Sequence, residues 1–192
     1  MQMLNLTESF ELLGNLKTAR TYLVRNQSDL SEVQFPYYMK IDSARHKKKV
    51  GGVVKCNTLK EAKEAYSKLK NKFGGQVIIQ EEVIGEEIIL GIKEDKVFGK
   101  LLLLGFGGEA LEKKDIAFRA LPLTRAQIKK SLKSLRGYPK IKKMAIEKLV
   151  TLIEIFLVIV EQKDIAEADL NPIILTRKDA IIVDGRIRLL NE

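Results

Sequence analysis

Two aspartates and an asparagine near the C-terminal end, Asp169, Asn171 and Asp184, offer three oxygen donors at a spacing that extended backbone can gather. Hard oxygens in small number suit a Mg²⁺ ion held jointly with the phosphates of a substrate. Gathering them needs a hairpin, and the apolar runs Pro172–Leu175 and Ala180–Val183 flank the polar tetrad Thr176 to Asp179 in that pattern. Pairing Leu175 with Ala180 carries Asn171 opposite Asp184. Asp169, two residues earlier, then projects from the same face as Asn171. Pro172 has no N–H for a ladder, so it fits an edge or the first residue of the strand. The same residues suit an ordinary hairpin whose Asp and Asn cap turns, and the hairpin alone favours that reading, since short acidic hairpins are common.

Other side chains able to handle phosphate lie earlier in the chain. Gln34–Ile41 is apolar and aromatic, reads as a strand, and delivers Lys40 at its end. The loop Asp42–Lys49 holds Arg45, Lys47, Lys48, Lys49 and the chain's one histidine, His46, and runs into Gly51-Gly52. Such a donor-rich turn could close over phosphates, and a solvated basic loop has the same composition. A neutral imidazole near physiological pH can accept a phosphoryl group, and His46 is the one candidate. Glu81-Glu82-Val83 stands at a strand end, where backbone outside the ladder could bond a flat heterocycle while Glu81 accepts from an amine or hydroxyl; two surface glutamates would look alike. The glycines of Gly105-Phe106-Gly107-Gly108 could let backbone approach a phosphate. Arg119, in the alternating stretch Asp115–Leu123, has the planar guanidinium that suits oxyanions or a structural ion pair.

The elements that must position these residues follow from periodicity. Helices are expected over Thr7–Leu13, Leu16–Val24, Thr58–Lys72 (stopped by Gly74-Gly75), Leu123–Leu135 and Ile141–Val160. Strands are expected over Gln76–Gln80, Glu87–Lys93, Lys96–Leu104 and Arg186–Leu190, the short turns among the first three implying antiparallel pairing. Helices and strands intermix without regular βαβ alternation, an α/β or α+β pattern.

With 192 residues, 45% of them hydrophobic, the chain can bury a sizeable core. A formal charge of +9 favours anionic partners. Aromatics are 6% with no Trp, and no basic motif interleaved with aromatics is present, so nucleic acid is the weaker option and rests on charge alone. The lone Cys56 excludes an internal disulfide and a Cys-based zinc site, which suits a cytoplasmic protein. No secretory signal is read at Met1–Leu6, and the apolar run Leu149–Val160 is too short to span a bilayer, so no membrane association is expected.

Taken in order, PYYMKI, H-K-x-x-V-G-G-V, VIIQEEV, GFGG, DIAFRALPL, E-x-D-L-N-P and AIIVDGRI resemble the β subunit of the ADP-forming acyl-CoA synthetases, an ATP-grasp family. The resemblance spans roughly Thr7 to Leu189. It implies an α+β ATP-grasp fold over 1–192, a single domain whose two lobes (35–80, and 81–192 with the N-terminal helices) enclose a nucleotide cleft between antiparallel sheets. It further implies ATP/ADP and Mg²⁺ as cofactors and a CoA-binding α subunit as partner, with a phosphohistidine carrying the phosphoryl group to ADP. Lys40 would then contact phosphate under the Gly51-Gly52 turn, Glu81 and Val83 would hold adenine, and Glu87 would lie near the ribose. Asp169, Asn171 and Asp184 would take Mg²⁺, and His46 would be the relay. Two departures stand out. Lys48 and Lys49 replace the usual Ser/Thr and Asp, and Tyr138–Met144 replaces a Gly-x-Arg-Gly stretch. They fit a streamlined enzyme or a non-catalytic subunit that binds nucleotide or scaffolds a partner.

Overall fold

The computed structural model describes residues 2–43, 51–107 and 115–190. In chain order its elements are β1 (Gln2–Met3), α1 (Leu6–Leu13), β2 (Thr21–Val24), a 3₁₀ turn (Gln27–Glu32), β3 (Tyr37–Ile41), β4 (Val53–Cys56), α2 (Leu59–Phe73), β5 (Val77–Glu81), β6 (Glu86–Asp95), β7 (Gly99–Phe106), β8 (Ile116–Ala120), α3 (Arg125–Ser134), α4 (Tyr138–Ile141), α5 (Ile146–Gln162), β9 (Ile165–Leu175), β10 (Ala180–Ile182) and β11 (Arg186–Leu189). They fall into two units, a smaller one comprising Asn5–Thr7 and Ala19–Glu82 and a larger one comprising Met1–Leu4, Glu8–Thr18 and Val83–Glu192.

The smaller unit is an antiparallel sheet in the order β2-β5-β3-β4 with α2 on one face. Thr58 starts α2 by accepting from the Glu61 N–H, and Gly74, in the left-handed region, stops it. Ala62, Ala65 and Leu69 recur at helical spacing and bury against Met39, Ile41 and Ile79 of the sheet. Leu16–Val24 is not the expected helix. Thr21–Val24 is instead edge strand β2, paired residue for residue with β5. The apolar spacing of Leu16, Ala19, Leu23 and Val24 mimics a helical period, but Thr, Tyr and Val suit a pleated surface and tertiary pairing decides.

Burial in this core pushes the Cys56 thiol up from 9.0 to about 11 and the Tyr37 phenol up from 10.0 to about 12. Above the ordinary values an unfolded chain sheds protons that the folded one keeps, so stability should fall as pH rises from about 9 to about 12. Tyr37 is 1% exposed, and among the described residues its Oη has no hydrogen-bond partner. Tyr37→Phe should therefore raise stability at pH 7 by about 1 kcal/mol and flatten the alkaline loss. Urea unfolding at pH 7 and pH 10.5 checks both, and a destabilised Phe variant at pH 7 would contradict the assignment.

The larger unit is a sheet in the order β1-β11-β9-β6-β7-β8, with β10 also beside β9. One face carries α3 and α5, whose Ile128, Leu132, Ile153 and Phe156 bury against Ile88, Leu102 and Leu170. Ile141–Val160 is interrupted rather than one helix. Ala145 is non-helical and donates its N–H to Thr176 O at 3.0 Å, and α5 starts after it.

The hairpin has the expected register, with Ala180 opposite Leu175 and Ile182 opposite Ile173. It does not begin at Pro172. β9 runs unbroken from Ile165 through Pro172 in the middle of the sheet, with β6 on one side and β10 and β11 on the other. Against β6 the register slips where Leu90 opposes Leu170 and Ile88 opposes Ile173, leaving an extra residue on β9 at Asn171-Pro172. A residue without an N–H is tolerated inside a sheet at such a bulge.

Candidate functional site

In the smaller unit Lys40 comes from β3, a central strand. Its neighbours Met39 and Ile41 point to the α2 core, so Lys40 projects from the other face. It is 5% exposed and its Nζ donates to Gln80 Oε1 at 2.6 Å. Gln80, 1% exposed, donates from Nε2 to Thr21 Oγ1 at 3.0 Å. The Thr21 hydroxyl in turn donates to Ala19 O at 2.9 Å. Ile41 N donates to Gly52 O at 2.9 Å, so the Gly51-Gly52 pair is brought to the same end of β3 as Lys40. Gly51 has φ +73, a conformation that favours glycine.

Glu81 closes β5. Its carboxylate accepts from Arg20 N at 2.9 Å and Arg20 Nε at 2.7 Å, and its own N–H donates to Arg20 O at 3.1 Å. The hydrogen bond to Glu81 and its charge raise the Arg20 pKa above the ordinary 12.5. Glu82 accepts from Lys55 Nζ at 2.6 Å. A cavity of about 850 Å³ within this unit is lined by Arg20, Tyr22, Tyr37, Gln80 and Glu81 among others.

In the larger unit Val83 lies in the connection between β5 and β6, outside both ladders. Glu87 is exposed on β6 and meets Gly107, whose N–H donates to Glu87 O at 2.8 Å. A Cβ at position 107 would stand 3.0 Å from Glu87 Cβ, so any larger residue there would push Glu87 by a few tenths of an ångström. Asp169, Asn171 and Asp184 are half-buried around β9. Asn171 N donates to Asp184 O at 3.1 Å, and Asp169 stands opposite Arg186, two residues beyond Asp184. The Asp184 carboxylate also accepts from Gly185 N at 3.0 Å. Among the described residues no group of three or more His, Cys, Asp and Glu is placed to hold a metal. The trio has two carboxylates and one amide, a donor set of hard oxygens that fits Mg²⁺ shared with a phosphate ligand.

Arg119 is not brought to this group. It lies on β8 opposite Leu102 and donates to Phe118 O at 2.8 Å and to Ser134 Oγ of α3 at 3.4 Å. Ala117 and Leu102 belong to the core under the helices, so Arg119 projects on that side. Asp169 falls in the row of Gly91, Leu103 and Phe118 on the opposite side, and the sheet separates them. His46, Lys47 to Lys49 and Gly108 lie outside the described residues. Three neighbours of the candidate residues have no signal in the sequence reading: Gln80 beside Lys40 and Arg20 on Glu81 in the smaller unit, and Arg186 opposite Asp169 in the larger. The alternation of AIIVDGRI could have flagged Arg186 as sharing a face across the strand pair.

A family model described as an ATP-grasp domain matches residues 2–189. The β subunit of acetate–CoA ligase (ADP-forming) I from Pyrococcus furiosus is 30% identical over 178 residues, covering 82% of this chain and 77% of that relative. Acetate–CoA ligase (ADP-forming) II from Archaeoglobus fulgidus is 30% identical over 187 residues, 90% of this chain, and the chain spans only 28% of its length. Among solved structures, the dinucleotide-forming acetyl-coenzyme A synthetase 1 of Ca. Korarchaeum cryptofilum, in complex with coenzyme A, Ca-AMPCP and HgCl⁺, superposes with TM-score 0.84 at 27% identity, covering 98% of this chain and 94% of that one. The same synthetase in complex with coenzyme A and Mg-AMPPCP, its phosphohistidine segment pointing towards the nucleotide binding site, gives 0.79 at 28% identity over 96% and 92% of the two chains. With antiparallel sheets flanked by helices and a family match that runs through both units almost end to end, this chain has the ATP-grasp fold and belongs to the ATP-grasp family.

Proposed function

We propose that the chain is the nucleotide-binding β subunit of an ADP-forming acyl-CoA synthetase, an acid–CoA ligase that works in the cytosol with a CoA-binding α partner. The observation that carries the reading is Lys40, a lysine 5% exposed near the end of a central strand in an ATP-grasp chain. The P. furiosus and A. fulgidus relatives are ADP-forming acetate–CoA ligases, and the former is named as a subunit beta, which supports both the activity and the partner. Among the described residues no helix is long and apolar enough to cross a membrane.

Phosphoryl transfer asks the protein for positioning and charge neutralisation more than for covalent work. Lys40 and the backbone of Gly51-Gly52 would bind the phosphates of ADP. The Glu81 carboxylate is committed to Arg20, so its contact with the base falls to the backbone of Glu81 and Val83. Glu87 would meet the ribose, and Gly107 with Gly108 would admit backbone close to the ligand. Mg²⁺ would be held by Asp184 and Asn171 with Asp169, which also faces Arg186, and when bound it supplies charge neutralisation at the phosphate oxygens. His46 would bring the phosphoryl group: its N–P bond breaks as an oxygen of the ADP β-phosphate bonds to phosphorus, leaving imidazole and ATP.

Lys48 and Lys49, where the family pattern has Ser/Thr and Asp, favour a second reading, a nucleotide-binding subunit without turnover. Mixing the chain with a CoA-binding α subunit separates the two. The proposal expects ATP formation that needs acyl-CoA, ADP and phosphate and is absent from either chain alone. ADP–Mg²⁺ binding without turnover in the assembled complex would favour the second reading, and neither binding nor turnover would contradict both.

A further inference from the structure

Residues 125–148 carry nine Lys and Arg side chains and one acid, Glu147, a net charge of +8 in a chain whose total is +9. Folded surfaces ordinarily interleave the two signs, so a run this one-sided asks for an explanation. Its single acid is already committed. Glu147 accepts from Lys129 Nζ at 2.6 Å and from Arg125 Nη2 at 2.8 Å, and Arg125 also pairs with Glu154. The cations that remain are gathered from three places. Lys129 and Lys133, one turn apart on α3, Lys142 just after α4 and Lys148 in the first turn of α5 line one cavity of about 450 Å³, together with Tyr138 and Met144. Lys133, Lys142 and Lys148 are exposed, and among the described residues none of their ammonium groups has a partner. The buried side chains of these helices, Ile128, Leu132 and Leu149 among them, account for the packing without the lysines.

We propose that this cavity is a separate anion site, taking a small ligand with two or more phosphate groups, with Lys133, Lys142 and Lys148 on the phosphates and Tyr138 and Met144 against its less polar part. A concave site of this volume suits a small molecule, whereas a flat basic patch would suit an extended polyanion. A phosphate monoester carries about −1.5 to −2 at pH 7, so three unpaired ammonium groups are matched by two phosphates rather than one. The site is independent of the nucleotide reading. It lies on the helix-covered side of the larger sheet, and Asp169 falls on the other side. Part of its lining also falls in Tyr138–Met144, where the chain departs from the family pattern, so the site belongs to this chain and does not come with the family's nucleotide chemistry.

Inorganic tripolyphosphate is the probe, titrated into the full-length chain with its methionine methyl groups labelled for NMR. The Met144 signal is assigned by its disappearance in Met144→Leu. It should shift and saturate as the probe is added. Replacing the three unpaired lysines together (Lys133→Gln, Lys142→Gln, Lys148→Gln) should raise the dissociation constant read at Met144 by at least roughly 30-fold. The same charge change on exposed lysines of α2 (Lys60→Gln, Lys63→Gln, Lys68→Gln) should raise it by less than about twofold, because distant surface charges are screened. An unmoved Met144 signal, or equal weakening in the two triple variants, overturns the site. Lys40→Met should leave the Met144 titration unchanged whether or not ADP binds the chain, and loss of the Met144 response in that variant would return the effect to the nucleotide site and overturn the separate one. A hexaglutamate peptide that shifts Met144 at lower concentration than tripolyphosphate would overturn the phosphate class and assign the surface to an acidic protein partner.

Discussion

Lys40→Met should weaken ADP binding by roughly 10- to 100-fold, because a charge-assisted contact to phosphate is worth about 1.5–3 kcal/mol. Methionine keeps most of the length and apolar contact of the lysine stem and removes only its charge and donors. The variant leaves Gln80 Oε1 without its ammonium donor, so a modest loss of stability is expected beside the loss of affinity. Calorimetric titration with ADP reads the first effect and thermal unfolding the second. An unchanged dissociation constant would remove Lys40 from the nucleotide site.

Asp115→Ala should cost about 3 kcal/mol, and the thermal midpoint should fall by roughly 6–12 °C in a chain of this size. Asp115 precedes β8 and is 8% exposed. One carboxylate oxygen accepts from Arg136 N at 2.9 Å and the other from Gly137 N at 2.7 Å, and Arg136 Nε stands 3.9 Å away. These bonds tie the turn between α3 and α4 to the start of β8, and Phe106 N closes the corner by donating to Asp115 O at 3.1 Å. Alanine leaves two backbone donors without their acceptors. Asparagine keeps one acceptor and should lose about half as much. Differential scanning calorimetry of the two variants checks the order, and equal midpoints for wild type and Asp115→Ala would mean that water replaces the carboxylate at no cost.

Local features were legible in the sequence and cross-chain ones were not. The β9–β10 register followed from the run lengths on either side of Thr176 to Asp179, because a hairpin fixes pairing by its turn. The bounds of α2 followed from Thr58 and Gly74. The first half of β9 has its own signal in Glu167 and Asp169 alternating with Ala166, Ala168 and Leu170, but Pro172 points to an edge or a strand's first residue and instead sits at a bulge inside the sheet. β2 carried an ambiguous period that only its pairing with β5 resolves. The coupling of Lys40 to Gln80 joins residues 40 apart in sequence, and that of Gln80 to Thr21 joins residues 59 apart. No local pattern specifies either. Arg119 shows the same boundary from the other direction: its stretch alternates, but which face carries the helices depends on how α3 and α5 pack.

If the chain binds ADP through an ion held by Asp169, Asn171 and Asp184, calorimetric titration with ADP, with and without Mg²⁺, reads it in the wild type and in Asp184→Ala. Binding in the wild type should tighten by at least roughly tenfold when Mg²⁺ is added, and in Asp184→Ala the two titrations should coincide. The same gain from Mg²⁺ in Asp184→Ala as in the wild type would contradict the assignment of the ion to these residues.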